Sequence, residues 1–135
     1  MKNYIILVMM IIGIISSSCK KEDENEDTNT GKTTAIITVY DNTNKTVSGQ
    51  IVYAYDQSTW EAHGDKPLVA DKKVTTSSDG KATIELDDIN NLFAFDSQEI
   101  IHFSVHYTVN GTETTKNTSL TFTKGSTKSA SLTMN

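Results

Sequence analysis

Glu99-Ile100-Ile101-His102-Phe103-Ser104-Val105-His106-Tyr107-Thr108-Val109, followed by Asn110-Gly111, is the stretch whose reading decides the fold. Ile101, Phe103, Val105, Tyr107 and Val109 recur at every second position, with Ile100, His102, Ser104, His106 and Thr108 between them. A period of two is that of a half-buried strand. Asn-Gly supports positive φ at both central positions of a type I′ turn, so a hairpin follows. If Val109 faces Thr112, Ile101 falls opposite Leu120 and Phe103 opposite Thr118, and the apolar faces agree. Nearer the turn the same register sets Lys116 against Val105, a poor core pair. That end is expected to project beyond the core or to carry a bulge.

Working outward, the same alternation recurs on both sides. Thr34–Tyr40 reads as a first strand with Ala35, Ile37 and Val39 on one face. Gly49–Tyr55 is a second, with Gln50, Val52 and Ala54 on one face and Ile51, Tyr53 and Tyr55 on the other. Val69–Thr76 and Lys81–Leu86 flank Ser77-Ser78-Asp79-Gly80, a tight turn in which Gly80 is free to take positive φ. Ser126–Met134 closes the chain with Ala130, Leu132 and Met134 aligned. Gln57–Pro67 reads as a long polar loop, and Asp87–Ser97 as a helical turn or loop whose Ile89, Leu92, Phe93 and Phe95 plug an end of the core.

About seven short strands between turn signals predict an all-β chain: a single Greek-key β-sandwich spanning 33–135, of transthyretin-like or immunoglobulin-like type. Val47-Ser48-Gly49-Gln50-Ile51-Val52-Tyr53-Ala54-Tyr55 and Thr75-Thr76-Ser77-Ser78-Asp79-Gly80-Lys81-Ala82-Thr83-Ile84 resemble the corresponding strands of transthyretin-like and carboxypeptidase-regulatory-like sandwich domains. That resemblance implies a stalk, adaptor or binding module and no catalytic residues.

The first 32 residues have a different character. Lys2 precedes the apolar run Tyr4–Ile15, which is within the ~7–15 residues of a signal-peptide core and short of the ~20 needed to span a bilayer. Ser16-Ser17-Ser18 then leads into Cys19, the one cysteine of the chain. Residues 1–18 with Cys19 resemble a bacterial lipoprotein signal peptide of the signal peptidase II type, with Ser16 where leucine usually stands. The resemblance implies cleavage before Cys19 and its acylation, and several acyl chains anchor stably where one does not. Lys20-Lys21-Glu22-Asp23-Glu24 resembles the lysine-plus-acidic signal that sends lipoproteins to the exterior of the outer membrane. Residues 19–32, rich in acids and poor in apolar groups, read as a flexible acidic tether.

Charge and motif spacing exclude several functions. Removing 1–18 takes away only Lys2, leaving 11 lysines against 17 acids, a net −6 with no arginine. Nothing there grips nucleic acid. His102 and His106 share a strand face but stand ~13 Å apart, too far for one metal ion, and read as solvent-facing or edge histidines. No metal site or cofactor is expected. A Gly-x-Ser-x-Gly elbow is missing, Asp87-Asp88 has no apolar pocket, and Asp87–Asn91 lacks the spacing of a calcium loop. Thr34–Tyr40 contains no lysine for an isopeptide crosslink. The most suggestive group is aromatic: Tyr53, Tyr55 and Trp60 either form a ligand platform for a sugar or protein, or pack together with Trp60 covering the tyrosines. The expectation is a non-enzymatic, surface-exposed outer-membrane lipoprotein that meets the membrane through Cys19 and binds a glycan or a protein complex. The alternative is an adhesin or enzyme-inhibitor module presenting loop 57–67 to a protein partner.

Overall fold

A computed structural model describes residues 31–135; the leader, Cys19 and the Lys20–Glu24 run lie outside the described residues. Seven strands form: β1 (Thr34–Tyr40), β2 (Ile51–Asp56), β3 (Lys72–Thr75), β4 (Lys81–Glu85), β5 (Gln98–Val109), β6 (Thr112–Thr123) and β7 (Thr127–Thr133). They make two sheets, β4-β1-β7 and β3-β2-β5-β6. β1 pairs antiparallel with β4 and parallel with β7. The chain passes between sheets after β1, β3, β4 and β6, which gives the expected all-β Greek-key sandwich.

The central ribbon follows the sequence register. Ile101 faces Leu120, Phe103 faces Thr118 and Val105 faces Lys116, in pairing unbroken from Gln98↔Thr123 to Val109↔Thr112. No bulge interrupts it. Asn110 (φ 52°) and Gly111 (φ 80°) both adopt the left-handed region that the Asn-Gly pair predicts. Val105 is still fully buried, but Lys116 opposite it on the edge strand β6 is only half-buried and no residue from His106 to Ser119 is buried, so the pair sits where the ribbon begins to leave the core.

The core lies between the sheets, where Ile37, Val39, Val52, Ile84, Ile101, Phe103, Val105 and Phe122 have no exposure. Phe103 and Phe122 meet edge to face at 6.3 Å. Each such side chain contributes about 1.5–3 kcal/mol by leaving water. Leu86, Ile89 and Leu92 close one end, but Phe95 is 97% exposed and does not plug it. The left-handed Asn90 and Asn91 (φ 43° and 54°) break any helical period there, so the last apolar residue of the segment turns outward.

Two segments differ from expectation. Gln57–His63, read as loop, is a helix, α1. β3 is shorter than 69–76 because Pro67–Val69 forms a 3-10 turn that starts at the proline ring. The two stretches quoted for the sandwich resemblance pack together. The Thr76 hydroxyl donates to the Val47 carbonyl at 2.6 Å and accepts from the Gln50 amide at 2.9 Å. Gly80 (φ 77°) fits where a Cβ would stand 2.6 Å from that of Thr46, so the turn needs glycine for both its conformation and its contact.

Candidate functional site

Alternation in β2 sends Val52 and Ala54 inward and leaves Tyr53 and Tyr55 on the outer face of the four-stranded sheet. Pairing with β5 places Ser104 opposite Tyr53 and His102 opposite Tyr55. The chain then turns directly into α1, which lies over this face. Asp56 caps it: its Oδ1 accepts from the Thr59 amide at 2.7 Å and the Ser58 hydroxyl at 2.8 Å. Gly64 ends it, its amide donating to the Trp60 carbonyl at 2.8 Å.

Under the helix is a second, polar core. Trp60 stacks on His102 with centroids 4.4 Å apart and planes within 2°, and meets Tyr55 edge-on at 5.4 Å. His102 Nε2 donates to Gln57 Oε1 at 2.7 Å. The Asp65 carbonyl accepts from Tyr55 OH at 2.9 Å and from His106 Nε2 at 2.8 Å. Ser104 and Tyr55, both without exposure, have their hydroxyls 3.2 Å apart, and Thr115 Oγ1 meets His106 Nδ1 at 3.2 Å. Burial pushes the Tyr55 phenol up, against a smaller lowering by Ser104. Burial also holds the His102 imidazole below its ordinary value, opposed by Glu61. Both groups are therefore favoured in their neutral forms.

The three aromatic candidates do not make a flat exposed platform. Tyr55 is buried, Trp60 is half-buried against it, and Tyr53 is half-buried with its ring 5.6 Å from His106 in an edge contact. His102 and His106, read as solvent-facing or edge histidines, are both half-buried and hydrogen-bonded: His102 is covered by Trp60 and Gln57 of α1, and His106 is held by the Asp65 carbonyl just after the helix and by Thr115. Segment 57–67 is correspondingly a pinned helix and turn, not an open loop. Signals for α1 were present: Asp56 and Gly64 stand as N-cap and C-terminal residues two turns apart.

Sequence reasoning also missed the approach of Ser104 to His106, with Oγ and Nε2 3.5 Å apart. This is not a nucleophile and base. His106 Nε2 holds its proton toward the Asp65 carbonyl, its Nδ1 meets Thr115 and no carboxylate, and Ser104 is closed to solvent.

A further polar knot ties the start of α1 to the segment after β4. Asn90 Nδ2 donates to Asp56 Oδ2 at 2.9 Å and to Asp71 Oδ1 at 2.8 Å, while Asp71 Oδ2 accepts from the Asp56 amide at 2.8 Å. Burial raises the Asp56 pKa, but the bonds from Asn90, Thr59 and Ser58 outweigh it and hold the carboxyl below its usual range. Beside the knot is an open cleft of about 320 Å³ with Phe95, Glu61 and Glu99 on its walls. Burial pushes Glu99 up, reinforced by Asp96 and Asp56. Among the described residues, no three His, Cys, Asp or Glu side chains are grouped to hold a metal ion, and no helix is long and apolar enough to cross a membrane.

No family model and no curated protein matches the chain.

Proposed function

We propose that the chain is a non-enzymatic lipoprotein of the bacterial outer membrane, held by acyl chains on Cys19 and facing the cell exterior, whose sandwich serves as a small binding or accessory module for a glycan or a protein complex. The observation that carries the non-enzymatic part is the engagement of Ser104, His106 and Tyr55 in internal hydrogen bonds, which leaves no free nucleophile and base side by side on that face. The address rests on the apolar run ending at Ser16-Ser17-Ser18-Cys19 and on the Lys20–Glu24 signal. A transthyretin-like origin fits the packing of Val47–Gln50 against Thr76 and Gly80.

The helical form of 57–63 favours a second reading, presentation of 57–67 to a protein partner. Glu61, Ala62 and His63 point to solvent on a helix fixed from below by Trp60, so they meet a partner already ordered.

Fatty-acid labelling of the wild-type chain and of Cys19→Ser tests the anchor; label that persists in the variant refutes it. Protease treatment of intact cells tests the orientation, and a chain left uncut on intact cells yet cut after lysis contradicts exterior exposure. A glycan array on the purified protein separates sugar from protein partners.

A further inference from the structure

Beside the knot of Asp56, Asn90 and Asp71, the open cleft of about 320 Å³ exposes two side chains whose positions the packing of the sandwich does not call for. Phe95, at 97% exposure, leaves a whole aromatic ring in solvent. Glu99 is the second. Alternation in β5 sets it on the same face as Ile101 and Phe103, and pairing sets it opposite the buried Phe122, so a half-buried carboxylate takes a place of core character. β2 ends at Asp56, opposite Ile101, and on that side Glu99 therefore faces the cleft and not a neighbouring strand.

The Glu99 charge has no counter-ion there. The ion pairs of the described residues, Lys32 with Glu85 and Lys72 with Asp88, are elsewhere, and no lysine lines the cleft. Burial, then the charges of Asp96 and Asp56, push the Glu99 carboxyl up, the direction expected of an anion crowded by anions. On α1, Glu61 is held in place: Gln57 Nε2 donates to its Oε1 at 2.7 Å, and Gln57 is itself fixed by His102. Asp56, with both oxygens engaged by Ser58, Thr59 and Asn90, adds charge without a free acceptor.

An aromatic ring beside carboxylates selects a cation on an apolar stem. A neutral sugar would cover the ring and leave the charges unanswered, and an anionic surface would be repelled. Of the two basic side chains arginine fits better, because its guanidinium is planar, weakly hydrated and stacks on a ring while its N–H groups meet carboxylates. We infer that the cleft receives an arginine side chain of a partner protein, stacked on Phe95 and donating to Glu99 and Glu61. Free arginine would bring its own carboxylate among Asp56, Glu61, Asp96 and Glu99, whereas within a peptide chain that group is a neutral amide. The inference rests on the protein-partner reading above and gives it a chemistry, since Glu61 joins the cleft to the exposed flank of α1.

The test titrates the isotope-labelled protein, purified from cells in neutral detergent, with N-acetyl-arginine amide at constant ionic strength and follows its amide resonances. Saturable shifts at millimolar probe are expected in Leu92–Glu99 and Gln57–Glu61, with none at the Asn110-Gly111 turn. Phe95→Ala and Glu99→Gln should each weaken binding at least about fivefold while leaving the other resonances in place. N-acetyl-citrulline amide, of the same shape without the charge, should bind at least about fivefold less tightly, and so should free arginine. Equal binding of the citrulline compound, or shifts that never saturate and spread over every surface acid, overturns the cleft. Free arginine binding as tightly as the amide overturns the partner protein as its source. A cleft that ignores the probe fails alone, because presentation of 57–67 uses neither Phe95 nor Glu99. Neutral oligosaccharides that shift the cleft amides where arginine does not would overturn the inference together with the protein-partner reading, in favour of a glycan.

Discussion

The two faces of sheet β3-β2-β5-β6 are covered by different physics. On the inner face Val52, Ala54, Ile101, Phe103 and Val105 meet the other sheet through apolar contact alone. On the outer face Tyr55, His102, Ser104 and His106 lie beneath a seven-residue helix and the turn at Asp65 that follows it, and are held by directed hydrogen bonds and a ring stack. A helix of seven residues is far below the length that is stable in water by itself, so α1 exists because of what it covers. The inner face draws its stability from area and should respond to lost volume. The outer face should respond to single atoms, since a buried hydroxyl or imidazole without its partner costs about 1–3 kcal/mol.

The largest effect is expected from the inner face. Phe103→Ala removes a fully buried ring that also meets Phe122, and should lower the unfolding free energy by about 3–5 kcal/mol in urea titration. A loss under about 1 kcal/mol would mean that this face does not hold the sheets together.

This contrast also separates what could be read from sequence from what could not. The inner face was legible because a period of two states which side chains share a face, and Asn110-Gly111 states where the partner strand begins. Together they yield the register Ile101↔Leu120, Phe103↔Thr118 and Val105↔Lys116. The outer face was legible only as a list of residues. Alternation says that Tyr55 and His102 leave the core, but it cannot say what lies over them. Seven residues of α1 make less than two full turns, too few for a helical period to stand out, and the covering contact through Trp60 joins positions 42 apart in sequence. Phe95 was misread for a related reason. Hydrophobicity marks four candidates in 89–95 but not which of them a pair of left-handed asparagines turns outward.

Trp60→Ala sharpens the comparison from the other side. It removes the stack on His102 and the edge contact with Tyr55, and should cost about 2 kcal/mol. Hydrogen exchange should show the amides of α1 losing protection while those of β5 keep theirs. If β5 opened as readily as α1, the faces would be one cooperative unit and the distinction would fail.

Asp56 produces a smaller effect with a pH signature. Asp56→Ala deletes the cap of α1 and a partner of Asn90, for about 1–2 kcal/mol at neutral pH, whereas Asp56→Asn keeps a good capping group and should lose less. The folded carboxyl lies below its usual pKa, so its contribution is present in full above about pH 4 and disappears as pH falls through the folded value. Melting temperatures at pH 6 and pH 3 should therefore converge between wild type and Asp56→Ala. A constant gap would assign the cap no charge dependence.

The smallest effect is expected at His102, and its sign follows from burial. The folded imidazole titrates below its ordinary value, so the unfolded chain binds a proton first as pH falls. Stability from this residue is then complete above about pH 6.5 and declines as pH drops below it, until the folded group also titrates. His102→Phe keeps an aromatic partner for Trp60 and removes the titration, although it loses the bond to Gln57. Its melting temperature should start lower at pH 7.5 and fall less toward pH 5 than that of the wild type. His63 and His106 remain in both proteins, so the difference between the two slopes isolates His102. Because Trp60 is the one tryptophan and lies face to face with this ring, its emission should follow the same titration in the wild type and be flat in the variant. Equal slopes in both proteins would mean that protonated His102 is accommodated beneath α1 without cost, and that the outer face is wetter than its hydrogen bonds imply.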